Sequence, residues 1–305
     1  MQNEQEIIQQ IIDEVQKIIK GKERQVRLAL AAFLAGGHVM IEDLPGVGKT
    51  TLAKTLARVL GLGYGRIQFT SDLLPSDILG VNYFDTKASA FVFKKGPVFS
   101  QFLLADEINR ATPKTQSALL EAMEEAQVSV EGEAMPLERP FFVMATKNPF
   151  EEVGTFELPD SQLDRFLISF SLGYPDREAE RSILKSEKPQ IEQHVQSVGI
   201  EACETLFEAV HRITLSDALL DYMQNVIAFT RDSGLYRMPL STRGALALAK
   251  MTRAWALLEG RDYAIPADVK NVLPYVCAHR LVRTEGRHDP EKIIDEIFEA
   301  VPADE

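Results

Sequence analysis

Five short apolar runs punctuate the first half of the chain: HVMIED (38–43), RIQF (66–69), FLLADE (102–107), FFVMAT (141–146) and FLISF (166–170). Each is nearly continuously apolar, which is how strands buried on both faces read. Helical patterns lie between them. Thr50–Leu60 is one, and PKTQSALLEAMEEAQ (113–127) is another, with Leu119, Leu120, Met123 and Ala126 on one face. Strands alternating with helices predict a five-stranded parallel sheet between helices, an α/β fold. Two excursions, 81–97 and 127–140, alternate apolar and polar residues about a turn-like centre and predict hairpins. Such hairpins either decorate the sheet edge or protrude to touch a partner.

After GYPDREAE (173–180) the texture changes, and only helical patterns follow. Examples are SDALLDYMQNVIAFTRD (216–232), TRGALALAKMTRAWALLEG (242–260) and PADVKNVLPYVCAHRL (266–281). The boundary is expected at Tyr174-Pro175, giving an α/β domain over 1–175 and a small all-helical domain over 176–305. The polar stretch KSEKPQIEQHVQSVG (185–199) reads as a connector within the second.

Composition narrows the function classes. The longest apolar run, LALAAFLAGG (28–37), falls far short of the roughly 20 residues that cross a bilayer. The amino terminus MQNEQEIIQQ lacks the basic-then-apolar order of a secretion signal. Cys203 and Cys277 have no metal or redox spacing, and the five histidines are scattered. Together these features predict a cytoplasmic protein. A net charge of −12 argues against a nucleic-acid clamp, which needs a basic stripe to displace counterions.

Candidate chemistry begins at MIEDLPGVGKTTLAKTLARVL (40–60). Gly48-Lys49-Thr50 fits the end of the phosphate-loop pattern G-x-x-x-x-G-K-[ST], but Asp43 stands where the opening glycine belongs. Pro45-Gly46 already supplies turn chemistry. On this reading Asp43 closes the strand with its side chain turned away from the phosphates. The loop of Pro45, Gly46, Val47, Gly48, Lys49, Thr50 and Thr51 would hold an anion at a helix start, through the N–H groups near Gly46–Thr50. Lys49 would reach the β- and γ-phosphates, and Thr50 a Mg²⁺.

Three further signals follow in order. FLLADE sets Asp106 and Glu107 at the carboxyl end of a buried strand, where open α/β sheets bind ligands. Asp106 would hold Mg²⁺ through its water, and Glu107 would accept a proton from an attacking water or orient it. FFVMATKNP puts Asn148 just past another strand, as a turn residue or an uncharged group that positions the water. LPDSQLDRF puts Arg165 before the fifth strand, as a surface partner of Asp164 or a cation for the transferring phosphoryl group. Arg243, in the first turn of a helix at STRGALALAK, carries positive charge where a helix disfavours it, so an external anion is a reason for its presence.

With these residues in view the chain resembles AAA+ ATPases of the MoxR family. EDLPGVGKT, LLADEINRATPKTQSALLEAMEEAQVSVEG, FFVMATKNPFEEVGTFELPDSQLDRF, STRGALALAK and GRDYAIPADV carry the likeness, which spans nearly the whole chain. The resemblance implies that Gly46 to Thr50 form Walker A, that Asp106 and Glu107 form Walker B, and that Asn148 is sensor 1. It further implies that Arg165 is an arginine finger, that Arg243 is sensor 2, and that Gly21 lies against the adenine. The two hairpins match the second-helix insert and the pre-sensor hairpin of this branch. ATP and Mg²⁺, a hexameric ring and a partner carrying a von Willebrand factor A domain are what membership implies, with chaperone-like action on a protein client. A related ring motor acting on DNA, a chelatase-like subunit, or a nucleotide-gated binding module without turnover are the alternatives.

Overall fold

A computed structural model describes residues 2–87, 89–130, 132–149, 153–185, 191–284 and 290–302. It opens with two helices that the strand pattern does not announce, α1 (Gln2–Gln16) and α2 (Glu23–Leu34). Ile8, Ile11, Ile12 and Val15 form the buried stripe of α1, at the spacing of one helix face. Then come β1 (Val39–Glu42), α3 (Lys49–Leu60), β2 (Tyr64–Gln68) and the short α4 (Pro75–Leu79). The hairpin β3 (Gly80–Asp85) and β4 (Ala90–Lys95) leads into β5 (Phe102–Asp106) and α5 (Pro113–Glu125). A second hairpin, β6 (Gln127–Val130) and β7 (Glu133–Pro136), precedes β8 (Phe142–Lys147), α6 (Asp160–Leu163) and β9 (Ile168–Phe170).

The five expected strands assemble in the order β2-β5-β8-β1-β9, every neighbouring pair parallel. Because successive side chains point to opposite faces, each buried strand feeds two cores. Met40, Leu103, Ala105, Val143 and Ala145 meet Leu119, Leu120 and Met123 of α5 on one face. Val39, Ile41, Phe102, Leu104, Phe142 and Met144 face α1, α2 and α3 on the other. Both expected hairpins are antiparallel two-stranded ribbons.

From Arg177 onward the described chain is helical except for an antiparallel ribbon, β10 (Tyr236–Met238) with β11 (Val282–Arg283), that the all-helical expectation missed; the helices are α7 (Arg177–Lys185), α8 (Ile191–His194), α9 (Ile200–Arg212), α10 (Asp217–Asp232), α11 (Thr242–Leu258), α12 (Pro266–Cys277) and α13 (Pro290–Ala300). The connector expected at 185–199 falls partly on 186–190, outside the described residues; the remainder includes α8. Serine caps open two of these helices: Ser216 Oγ accepts from the amide of Leu219 (3.2 Å) and Ser241 Oγ from that of Gly244 (2.9 Å). The helices pack on the α1–α2 side of the sheet and share its core, with α11 against α2 and α12 against β9. Arg280, just past α12, is buried beside β9. Its guanidinium donates to Asp164 Oδ1 (2.7 Å) and to the carbonyls of Asp164, Phe166, Leu167 and Val276 (3.1, 2.6, 2.9 and 2.7 Å). Burial depresses its pKa, and the Asp164 carboxylate opposes that shift.

Candidate active site

The phosphate loop runs from the end of β1 to the first turn of α3. Gly46 and Gly48 sit at φ of 85° and 100°, a left-handed conformation that side chains rarely adopt. A Cβ at either would meet nothing within 4 Å, so the backbone and not crowding requires glycine, and the space over the loop is open. Position 43 makes no such demand. Among the described residues the non-glycine positions of positive φ are Ser89, Glu107 and Ala126. Asp43 is buried, and its Oδ1 accepts from the amide of Leu44 (2.8 Å) while Oδ2 accepts from Ser171 Oγ (2.8 Å) and the amide of Gly173 (2.6 Å). The carboxylate thus points toward the chain after β9, as the turned-away orientation requires.

Lys49 Nζ donates to the carbonyls of Asp43 (2.6 Å) and Leu44 (3.1 Å). Burial lowers its pKa, and the carboxylates of Asp43, Asp106 and Glu107 oppose the shift. Next to it stands β8, between β1 and β5 in the sheet, so Asn148 emerges between the loop and the acid pair. Asp106, ending β5, is held on both oxygens: Thr146 Oγ1 donates to Oδ1 (2.7 Å), and a guanidinium nitrogen of Arg66 donates to Oδ2 (2.7 Å). Glu107 adopts φ 57°, a strained conformation for this residue type. Its amide donates to the same Thr146 hydroxyl (2.9 Å), and Oε2 accepts from Gln68 Nε2 (2.7 Å) and Arg110 (3.1 Å). In this arrangement the Glu107 carboxylate is engaged by β2 and by its own following turn.

Pro45, Gly46, Gly48, Lys49, Thr50, Thr51, Asp106, Glu107 and Asn148 line one cleft of about 280 Å³. Val47 belongs to the same loop, but its side chain packs on the hydrophobic core. Sequence reasoning missed Thr146, Arg66 and Gln68. A threonine closing an otherwise apolar buried strand was the available signal for Thr146. For Arg66 and Gln68 the signal lies in register, since Gln68 pairs with Asp106 across β2 and β5.

Arg165 and Arg243 are not in this cleft. They meet each other instead, across Glu124 near the end of α5. Arg165 lies 3.0 Å from Glu124 Oε2, Arg243 is in contact with Glu124 Oε1, and Arg243 approaches Asp164 Oδ2 at 3.8 Å. The Ser241 cap hydroxyl also donates to Asp164 (2.8 Å). Acidic partners within the chain therefore accompany the arginine at the helix start. This cluster is at the opposite end of the sheet. His38, immediately before β1, faces the Met123 carbonyl through Nε2 (3.2 Å) and accepts the Leu167 amide on its own carbonyl (2.7 Å). Residues 123–124 and 164–167 thus gather at the amino ends of the strands, while Lys49 follows the carboxyl end of β1. The four residues of β1 alone separate the two ends by about 13 Å.

Gly21 also lies outside the phosphate cleft. Its φ is 65°, and a Cβ there would come within 2.8 Å of Asp176 Oδ2. The neighbouring Lys22 donates to the Tyr174 carbonyl. This segment therefore touches the chain between β9 and α7, the same stretch that Asp43 holds from the loop side.

The donor set fits an anion with a hard cation. Amides at the start of the 12-residue α3 and the Lys49 ammonium group line the cleft and suit an anion; the Thr50 hydroxyl and the Asp106 carboxylate offer oxygen to a hard cation. Among the described residues no three metal-binding side chains cluster. One hydroxyl and one carboxylate are the one or two protein oxygens that Mg²⁺ takes, with phosphates and water completing its shell.

Residues 38–168 match the family described as "ATPase family associated with various cellular activities (AAA)", and residues 228–297 match the AAA lid domain. The chain is 40% identical over 307 residues to Chaperone MoxR1 of Mycobacterium tuberculosis, covering 96% of this chain and 81% of that protein. Identity to Protein MoxR of Methylorubrum extorquens is 32% over 326 residues, covering 95% and 93%. The chain belongs to the MoxR family of AAA+ ATPases. A crystal structure of a candidate ATPase from Cytophaga hutchinsonii superposes with a TM-score of 0.91 at 35% identity, over 99% of this chain and 96% of that one. In this MoxR-family chain the AAA match holds the phosphate loop, the acid pair, Asn148 and Arg165, and the lid match holds Arg243. No helix among the described residues is long and apolar enough to cross a membrane.

Proposed function

We propose that this chain hydrolyses ATP with Mg²⁺ at sites shared between neighbouring copies in a ring, and couples turnover to remodelling a protein client. The observation that carries the reading is the separation of the two clusters. A phosphate loop, an acid pair and Asn148 share one cleft, while the two candidate phosphoryl-binding arginines occupy the other end of the same sheet. Those arginines are too remote to serve their own loop. A neighbour in a ring can present its amino-edge cluster to the carboxyl-edge cleft, and six copies are the assembly that the family resemblance implies.

Within the cleft, amides from Gly46 to Thr51 bind the phosphates and Lys49 neutralises the β- and γ-groups. Thr50 and Asp106 would hold Mg²⁺, which when bound would offset phosphate charge. Glu107, once released from Gln68 and Arg110, takes a proton from the attacking water or orients it, and Asn148 positions that water without adding charge. The neighbour's Arg165 and Arg243 let go of Glu124 and stabilise the transferring phosphoryl group. Gly21 lies on the adenine side. The α/β core over 1–175 acts as the nucleotide domain and 176–305 as its lid.

The protein named Chaperone MoxR1 supports a client-remodelling role here. A partner with a von Willebrand factor A domain and a cytoplasmic location complete the reading, and the charge of −12 weighs against a DNA motor. The test is calorimetry with ATP alongside phosphate release. Lys49→Ala should lose tight binding, and Glu107→Gln should bind ATP and retain it unhydrolysed. Unchanged affinity in the first variant, or wild-type turnover in the second, removes that residue from the mechanism.

A further inference from the structure

Asp43 occupies the one loop position where a glycine was expected, and its carboxylate makes contacts that glycine has no atoms for. On one side its carbonyl carries the loop's cation, accepting from Lys49 Nζ at 2.6 Å. On the other its carboxylate holds the chain that leaves the sheet, through Ser171 Oγ (2.8 Å) and the amide of Gly173 (2.6 Å). The carboxylate is buried and takes a third donor from the Leu44 amide. That stretch, 171–176, is the covalent path from β9 to α7. It is clasped from its far side as well, by Lys22 on the Tyr174 carbonyl and by Gly21 against Asp176. Asp176 in turn caps α7, accepting the Ala179 amide at 2.8 Å.

We propose that Asp43 is a positioning residue that couples filling of the phosphate loop to the 171–176 connection, and through it to the helices that follow. This rests on the nucleotide reading of the same loop and adds its regulation. When Lys49 turns to a triphosphate, it gives up or shares its bond to the Asp43 carbonyl. Residue 43 then resettles, and its charged hydrogen bonds carry the shift to Ser171 and Gly173. Bonds to an ionised acceptor are shorter and stronger than neutral ones, so they transmit displacement where water-filled contacts would not. The substitution that restores the loop glycine, Asp43→Gly, should therefore leave binding intact and cut the link.

The experiment is hydrogen exchange on the full-length protein, with and without a slowly hydrolysed ATP analogue, together with steady-state turnover. In the wild type, the analogue should slow exchange over 44–56 and over 171–181. In Asp43→Gly the first slowing should persist, with nucleotide affinity within about threefold, while the second disappears and kcat falls about tenfold, about 1.4 kcal/mol on the barrier. Ser171→Ala, which leaves the loop untouched, should move both readouts in the same direction by less, and it decides the question if Asp43→Gly does not fold. Equal slowing at 171–181 and equal kcat in wild type and variant would overturn the proposal. Absence of slowing at 44–56 in the wild type is a different result: it removes the nucleotide reading, and the coupling falls with it.

Discussion

The Thr146 hydroxyl is the smallest group on which the acid pair depends. It is fully buried, donates to Asp106 Oδ1 at 2.7 Å, and accepts from the Glu107 amide at 2.9 Å. Thr146→Val keeps the shape and removes both bonds. The Glu107 N–H then lacks this partner, costing about 1–3 kcal/mol, and the lost bond to an ionised carboxylate is worth about 1.5–3 kcal/mol. A net destabilisation of about 3 kcal/mol is expected, and in a chain of this size that lowers the melting temperature by roughly 5 °C. Turnover should fall further than stability alone explains, because the left-handed turn at Glu107 loses a bond that helps hold it. Thr146→Ser keeps the hydroxyl and should recover most of both losses. Scanning calorimetry and phosphate release on the three proteins test this. If Thr146→Val melts within 1 °C of wild type and turns over normally, the hydroxyl does not organise the pair.

Two predictions concern buried titratable groups. Burial pushes the His38 imidazole down to about 4 from 6.5, and His279 shifts in the same direction. Between those values the unfolded chain binds the extra proton, so stability falls as pH falls through this window, by about 2 kcal/mol from His38 alone at pH 5. Urea midpoints at pH 7 and pH 5 should show the loss, and His38→Gln should remove His38's part of it while His279's part remains; equal midpoints in the wild type would refute the assignment. Burial also raises both thiols, Cys203 and Cys277, to about 12. Neither should react with a thiol reagent at pH 8 until the chain unfolds, and rapid labelling of the native protein would contradict their burial.

The central strands β1, β5 and β8 were legible because each is apolar on both faces, and the hairpins because each alternates about a turn. The sheet order was not legible in the residues alone, and with it went every contact between strands that are distant in the chain. Thr146, Arg66 and Gln68 converge on Asp106 and Glu107 only because β8 and β2 flank β5. The helices α1 and α2 escaped the reading for another reason. The four-residue stripe of α1 is embedded in glutamine and glutamate, and its apolar partners are supplied largely by other segments. Arg165 and Arg243 were both picked out as anion-seeking groups, yet 78 residues apart they gave no sign that one carboxylate, Glu124, would hold them together. Asp43 looked like a defect in a pattern and proved compatible with the loop, because its φ asks nothing of glycine and its charge is satisfied elsewhere.

The central claim, that the phosphate loop of one copy works with the arginines of another, is tested most directly by mixing two inactive variants. On this account Lys49→Ala has an empty loop and intact arginines, and Arg165→Ala binds ATP but keeps only Arg243 for the developing charge. In randomly mixed rings about a quarter of the interfaces pair an intact loop with an intact arginine, and each regains the finger's rate effect of about 10³ or more. The account predicts that ATP hydrolysis reappears on mixing, in rings shown by two-colour labelling to contain both variants. Labelled mixed rings that remain as inactive as either variant alone would contradict it.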